Sequence, residues 1–95
     1  MGSRFGTYLR GIRRERGIGL KRVAPQVDLS YTFLSKLENG HVEPSGQTIE
    51  RLARFYGIAS DEMALAAGKL PRDVVEILRE HPDEAVALLR ARFGR

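Results

Sequence analysis

The sequence predicts an all-α fold, five short helices followed by a C-terminal helical hairpin, and three observations predict it. Apolar residues recur at spacings of three and four along almost the whole chain, which is the period of one helix face. The periodic stretches are separated by residues that start or stop helices, among them Gly17, Ser30, Ser45, Gly57 and Gly68. In the first 68 residues nothing alternates with period two over a useful length, so no strand is expected. A length of 95 residues suits one core, and is too short for a catalytic domain with a separate regulatory one.

Each element follows from its own residues. Phe5, Leu9 and Ile12 lie four and three apart, with Ser3 as a cap, so a helix is expected over residues 4–16, stopped by Gly17. Val23, Ala24 and Val27 share a face of a short second helix over residues 20–27, with Gly19 at the cap position. Pro25 removes a backbone donor within it, so its last turn should be bent or tightly wound. Asp28 and Leu29 form a turn. Ser30 caps a third helix over residues 31–37 with Leu34 and Leu37 inward, and Asn39-Gly40 ends it. Ser45 caps a fourth, carrying Ile49, Leu52, Ala53 and Tyr56, and Ser60 is expected to cap a fifth that runs to Ala67. Beyond Gly68, Pro71 suits the first turn of a helix bearing Val74, Val75, Ile77 and Leu78. His81-Pro82 breaks it before a last helix with Val86, Leu88, Leu89 and Phe93. The expected division is a five-helix domain over residues 1–68 and a C-terminal extension over residues 69–95, with Gly68-Lys69-Leu70 as a small hinge.

Charge is unevenly spread. The chain is net +4, but residues 1–22 carry +6 and residues 73–84 carry −4. A basic end fits a polyanion and an acidic end is repelled by one, although solvated faces would look the same. The sequence contains no cysteine, which removes disulfides, thiolate metal sites and thiol nucleophiles from consideration and fits a reducing compartment. No apolar run approaches a membrane span and no secretion signal opens the chain, so a cytoplasmic protein is expected. Its two histidines, His41 and His81, are far apart, and no HExxH or glycine-rich phosphate loop is present. No enzyme, metal or cofactor is expected.

Residues 20–39 have the parts of a helix-turn-helix: Ala24 as the small residue where two helices meet, a turn at Asp28, an inward apolar set, and Ser30 capping a second helix whose first turn projects outward. A generic bundle could share that apolar spacing. More specific are the segments Leu9-Arg10-Gly11-Ile12-Arg13-Arg14-Glu15-Arg16-Gly17, Val23-Ala24, Leu29-Ser30, Leu34-Ser35-Lys36-Leu37-Glu38-Asn39-Gly40, Pro44-Ser45 and Leu52-Ala53 with Tyr56-Gly57-Ile58. Over about residues 5–67 the chain resembles the lambda-repressor/Cro-type, or XRE, family of helix-turn-helix transcriptional regulators.

The resemblance implies a five-helix lambda-repressor-like domain and places roles on residues. The recognition helix would be residues 31–37, with Tyr31, Thr32, Phe33, Ser35 and Lys36 as base readers. Packing against a neighbouring helix is an equal alternative for Phe33. Lys21, Arg22, Asn39, Gly40 and His41 would meet DNA phosphates. Arg13 and Glu38 would form a structural ion pair, while Arg10, Arg14 and Arg16 are read as a solvated face. Three residues depart from the family. Leu20 stands where a glutamine is common, Asp28 where glycine is usual, and Pro25 lies inside the second helix.

The apolar stripe of the extension exceeds what a short hairpin covers alone, so Val74, Ile77, Leu78, Val86, Leu89 and Phe93 are candidates for a homodimer surface, with packing on the body as the alternative. The functional expectation is a homodimeric, sequence-specific repressor of a palindromic operator in double-stranded DNA. The rival is an antitoxin or protein-interaction module with a regulatory protein partner, in which DNA binding is secondary.

Overall fold

The computed structural model describes residues 4–95, and among them there are seven helices and no strand. The helices are α1 (Arg4–Glu15), α2 (Leu20–Gln26), α3 (Tyr31–Glu38), α4 (Gly46–Tyr56), α5 (Ser60–Ala66), α6 (Arg72–Glu80) and α7 (Pro82–Phe93). The expected cap at Ser3 lies outside the described residues. The helix ends otherwise fall within one residue or so of the spacing-based bounds, the usual scatter at frayed ends.

The first five helices enclose one core. Leu9, Val23, Leu34, Leu37, Leu52 and Met63 are its largest fully buried side chains, one or two from each helix. α2 packs on α3, α1 bridges α3 and α5, and α4 packs on α5. Ser30 Oγ accepts from the Phe33 amide at 3.0 Å, and Ser45 Oγ from the Thr48 amide at 3.1 Å, so both expected serine caps hold orphan donors of their first turns.

Ser60 does otherwise. It is the first residue of α5, Ala59 takes the cap position, and no side chain caps this end. Asp61 and Glu62 sit in the first turn instead, where negative charge suits the exposed amides of the helix start. Pro71 likewise precedes α6 at its cap position rather than within its first turn.

The end of α2, just after Pro25, is tightly wound. The Val27 amide is shared between the Val23 and Ala24 carbonyls at 3.2 and 3.3 Å, and the Asp28 amide reaches the Pro25 carbonyl at 3.3 Å. Asp28 then adopts φ 58°, in the left-handed region where family members usually place glycine.

α6 and α7 pack on each other and make at most glancing contact with the body, in a molecule measuring 46 × 26 × 25 Å. Neither contains a buried residue. Val74, Leu78 and Val86 are half-buried, whereas Ile77, Leu89 and Phe93 are exposed, together with Leu88 and Leu70, which were not among the candidates for the dimer surface. Among the described residues no helix is long and apolar enough to cross a membrane.

Candidate nucleic-acid interface

The face built by α2 and α3 is held from behind by α1. Arg13 projects from α1 to Glu38 at the end of α3, with Nε donating to Oε2 at 2.8 Å and Nη2 to Oε1 at 2.9 Å. Its remaining amino group donates to the Ile18 carbonyl at 3.0 Å. The Glu38 side chain is only 2% exposed, so its charge depends on this fork of two parallel bonds. The bond to Glu38 also holds the Arg13 guanidinium above its ordinary pKa, against the opposing effect of burial.

Arg10 and Arg16 depart from the solvated face expected of them. Arg10 Nη2 donates to Asn39 Oδ1, and Nε lies 3.6 Å from Glu38 Oε1. Arg16 Nη2 donates to the Tyr56 carbonyl at 2.9 Å, and its guanidinium lies 5.6 Å from the centre of the Tyr56 ring. With Arg13 they recur every three residues, so one edge of α1 and the residue that follows it grip the ends of α3 and α4. Arg14 remains exposed.

Gly6 was missed by the sequence reading, although a signal was present. Positions 6, 9, 10 and 13 share a helix face, and a glycine among large residues on that face marks close approach. A Cβ built on Gly6 would lie 2.3 Å from the Glu38 carbonyl oxygen. The backbones of α1 and α3 thus touch at the point where Arg13 and Arg10 clamp.

The outer side of α3 presents Tyr31, 48% exposed, with Thr32 and Lys36 also exposed and Ser35 half-buried. Phe33 is half-buried and packs against the core, the packing alternative raised for it. Lys21 and Arg22 are exposed on the first turn of α2, and Asn39 and His41 are exposed after α3, with Gly40 half-buried between them. Leu20, in place of a polar residue, is half-buried against the core, so it contributes packing where a glutamine would contribute hydrogen bonds. Asp28 has a counter-ion that its sequence position did not reveal: Arg51 Nη1 lies 3.8 Å from its carboxylate and 3.5 Å from its carbonyl. That pairing offsets a negative charge beside the turn. The Asp28 side chain is 89% exposed, so the offset is small.

A family model described as a helix-turn-helix domain matches residues 4–66, which takes in all five helices of the body. The chain belongs to the XRE-type family of helix-turn-helix regulators. Members of this XRE-type family are DNA-binding proteins rather than enzymes. The chain is similar to the HTH-type transcriptional regulator DdrOP3 of Deinococcus deserti, with 34% identity over 80 residues, 76% of this chain and 62% of that protein. It is also similar to the cryptic phage CTXphi transcriptional repressor RstR of Vibrio cholerae, 30% identical over 59 residues, 62% of this chain and 53% of the repressor. It therefore spans between half and two thirds of the length of these two relatives. The crystal structure of the clp gene regulator ClgR from Corynebacterium glutamicum superposes with a TM-score of 0.62 at 20% identity, covering 98% of this chain and 94% of that one. At that identity the likeness speaks for the fold, and it extends through the α6–α7 hairpin.

Proposed function

We propose that this XRE-type chain is a sequence-specific transcriptional repressor that binds double-stranded DNA as a homodimer in the cytoplasm. The observation that carries the reading is the outer face of α3. A helix capped by Ser30 is clamped at its far end by Arg13 and Glu38, and presents Tyr31, Thr32 and Lys36 to solvent. Lys36 donates to the acceptor edge of guanine, Thr32 and Ser35 donate or accept, and the Tyr31 ring lies against a thymine methyl. Phe33 supports this face from beneath rather than reading bases. Lys21, Arg22, Asn39, the Gly40 amide and His41 flank it and meet phosphates, which position the protein without reading sequence. The name of the similar phage repressor supports repression.

The dimer reading rests on α6 and α7, whose Ile77, Leu88, Leu89 and Phe93 remain exposed among the described residues. On this reading residues 69–95 are the dimerisation element of the DNA-binding domain in residues 1–68. A two-fold axis through the hairpins sets two copies of α3 about 34 Å apart, one turn of B-DNA.

Selection of bound duplexes from a random pool at fixed salt tests this. A palindrome is expected, and Lys36→Ala should relax preference at one base position per half-site. Removal of residues 70–95 should give a monomer by sedimentation and weaker DNA binding. A truncated chain that remains dimeric refutes the hairpin as the interface. Absence of any selected motif favours a protein-interaction module.

A further inference from the structure

Arg10 carries none of the DNA-facing roles assigned above, yet its guanidinium begins a chain of hydrogen bonds that ends on the recognition helix. Nη2 donates to Asn39 Oδ1 and lies 3.5 Å from the Glu38 carbonyl oxygen. A guanidinium has donors only, so the Asn39 atom that meets it is the amide oxygen. The amide nitrogen is thereby turned the other way, and Nδ2 lies 3.4 Å from Ser35 Oγ. An amide NH2 group has nothing to accept with, so Ser35 Oγ is the acceptor in that bond and keeps its own hydrogen to give elsewhere.

We propose that Arg10, from α1, sets the base preference of Ser35: through Asn39 it occupies one lone pair of the Ser35 hydroxyl and so biases that group toward giving its hydrogen to the major groove. The proposal rests on the assignment of α3 to that groove. A donor suits N7 and O6 of guanine, N7 of adenine and O4 of thymine, and it disfavours cytosine, whose groove edge offers an amino group. Arg10 is therefore a positioning residue that touches no base. Arg13 does not stand in for it, because each of its three nitrogens is already held by Glu38 or the Ile18 carbonyl. The DNA-facing polarity of one helix is thus encoded on another, 25 residues earlier in sequence.

The test is selection from a random duplex pool at fixed salt with the full chain, accompanied by thermal melting of each variant. Ser35→Ala locates the base position, as the one where preference is lost. There the unsubstituted chain should exclude cytosine about fivefold, the low end of what a base contact discriminates. Arg10→Met should reduce that exclusion to about twofold, since a freely turning hydroxyl both gives and accepts. Arg10→Lys, whose ammonium still donates to the Asn39 oxygen, should retain most of it. Asn39→Asp should move the preference toward cytosine, because a carboxylate takes the Ser35 hydrogen and turns the lone pairs outward. A folded Arg10→Met with unchanged preference overturns the proposal, and so does unchanged preference in Asn39→Asp. The latter decides alone if Arg10→Met fails to fold. A Ser35→Ala variant that alters no position also overturns it. If the unsubstituted chain selects no sequence, the assignment of α3 fails and takes this proposal with it.

Discussion

Two glycines on α1 should respond to the same substitution with opposite sign. At Gly6 an added Cβ would lie 2.3 Å from the Glu38 carbonyl oxygen, 2.8 Å from its carbon and 3.0 Å from the Leu37 carbonyl oxygen. All three are backbone atoms at the end of α3, so no side chain can swing aside. The helices must part until the nearest contact exceeds 3.0 Å, below which Cβ atoms essentially never pack. Overpacking of this kind costs about 1–3 kcal/mol, and the upper end applies because parting also stretches the Arg13–Glu38 fork. Alanine recovers about 1 kcal/mol of helix propensity, leaving a net loss of about 2 kcal/mol. For a chain of this length that lowers the melting temperature by roughly 8–16 °C.

Gly11 is the control. It lies in the same helix, is exposed, and a Cβ there meets nothing within 4 Å. Gly11→Ala gains the propensity with no clash, about 1 kcal/mol, and should raise the melting temperature by roughly 4–8 °C. Both variants are compared with the parent by circular dichroism at one protein concentration, because the melting of a dimer depends on it. A Gly6→Ala chain as stable as the parent refutes the close approach of α1 and α3. Two variants shifted the same way refute the reasoning as a whole.

Arg13→Met leaves the buried Glu38 carboxylate with only Arg10 beside it at 3.6 Å, and should cost about 3 kcal/mol in urea unfolding. Arg13→Met combined with Glu38→Leu should regain most of that loss, since no lone charge remains buried. Burial, followed by the nearby Glu38 charge, raises the pKa of the Tyr56 hydroxyl above its ordinary value of 10.0. Its contribution to stability is therefore complete below pH 10 and lost as pH rises through the folded-state value. Tyr56→Phe should remove that part of the alkaline decline; pH–stability curves that superpose above pH 10 would contradict this.

Much of the fold was legible because it depends on local chemistry. Ser30, Ser45 and Asp28 each meet a demand set within four residues, and the structure has the serines capping α3 and α4 and Asp28 turning between α2 and α3. Ser60 misled because a serine before a periodic stretch looks like a cap, whereas Asp61 and Glu62 stabilise the same helix end one residue earlier. The site was legible where a motif carried it, as in the segment from Leu34 to Gly40. It was illegible where a contact joins distant residues. Gly6 meets Glu38, Arg16 meets Tyr56, and Arg51 meets Asp28 across 23 to 40 positions, and no local rule pairs them.

Those distant contacts change how the basic N-terminal region should be understood. The charge of +6 over residues 1–22 suggests a broad phosphate-binding surface, but Arg10, Arg13 and Arg16 are committed within the chain. The Lys21 and Arg22 side chains are exposed on α2, which packs on α3, and make no hydrogen bond or ion pair with the described residues. The two groups should separate in the salt dependence of DNA binding. Each lost phosphate contact lowers the slope of log K against log salt by about 0.9 per protomer. Lys21→Ala and Arg22→Ala should each do this with little change in melting temperature. Arg16→Met should lower the melting temperature and leave the slope unchanged, because its partners are a carbonyl and a ring of α4. A reduced slope in Arg16→Met at unaltered stability would return α1 to the DNA surface and deny it the role of brace.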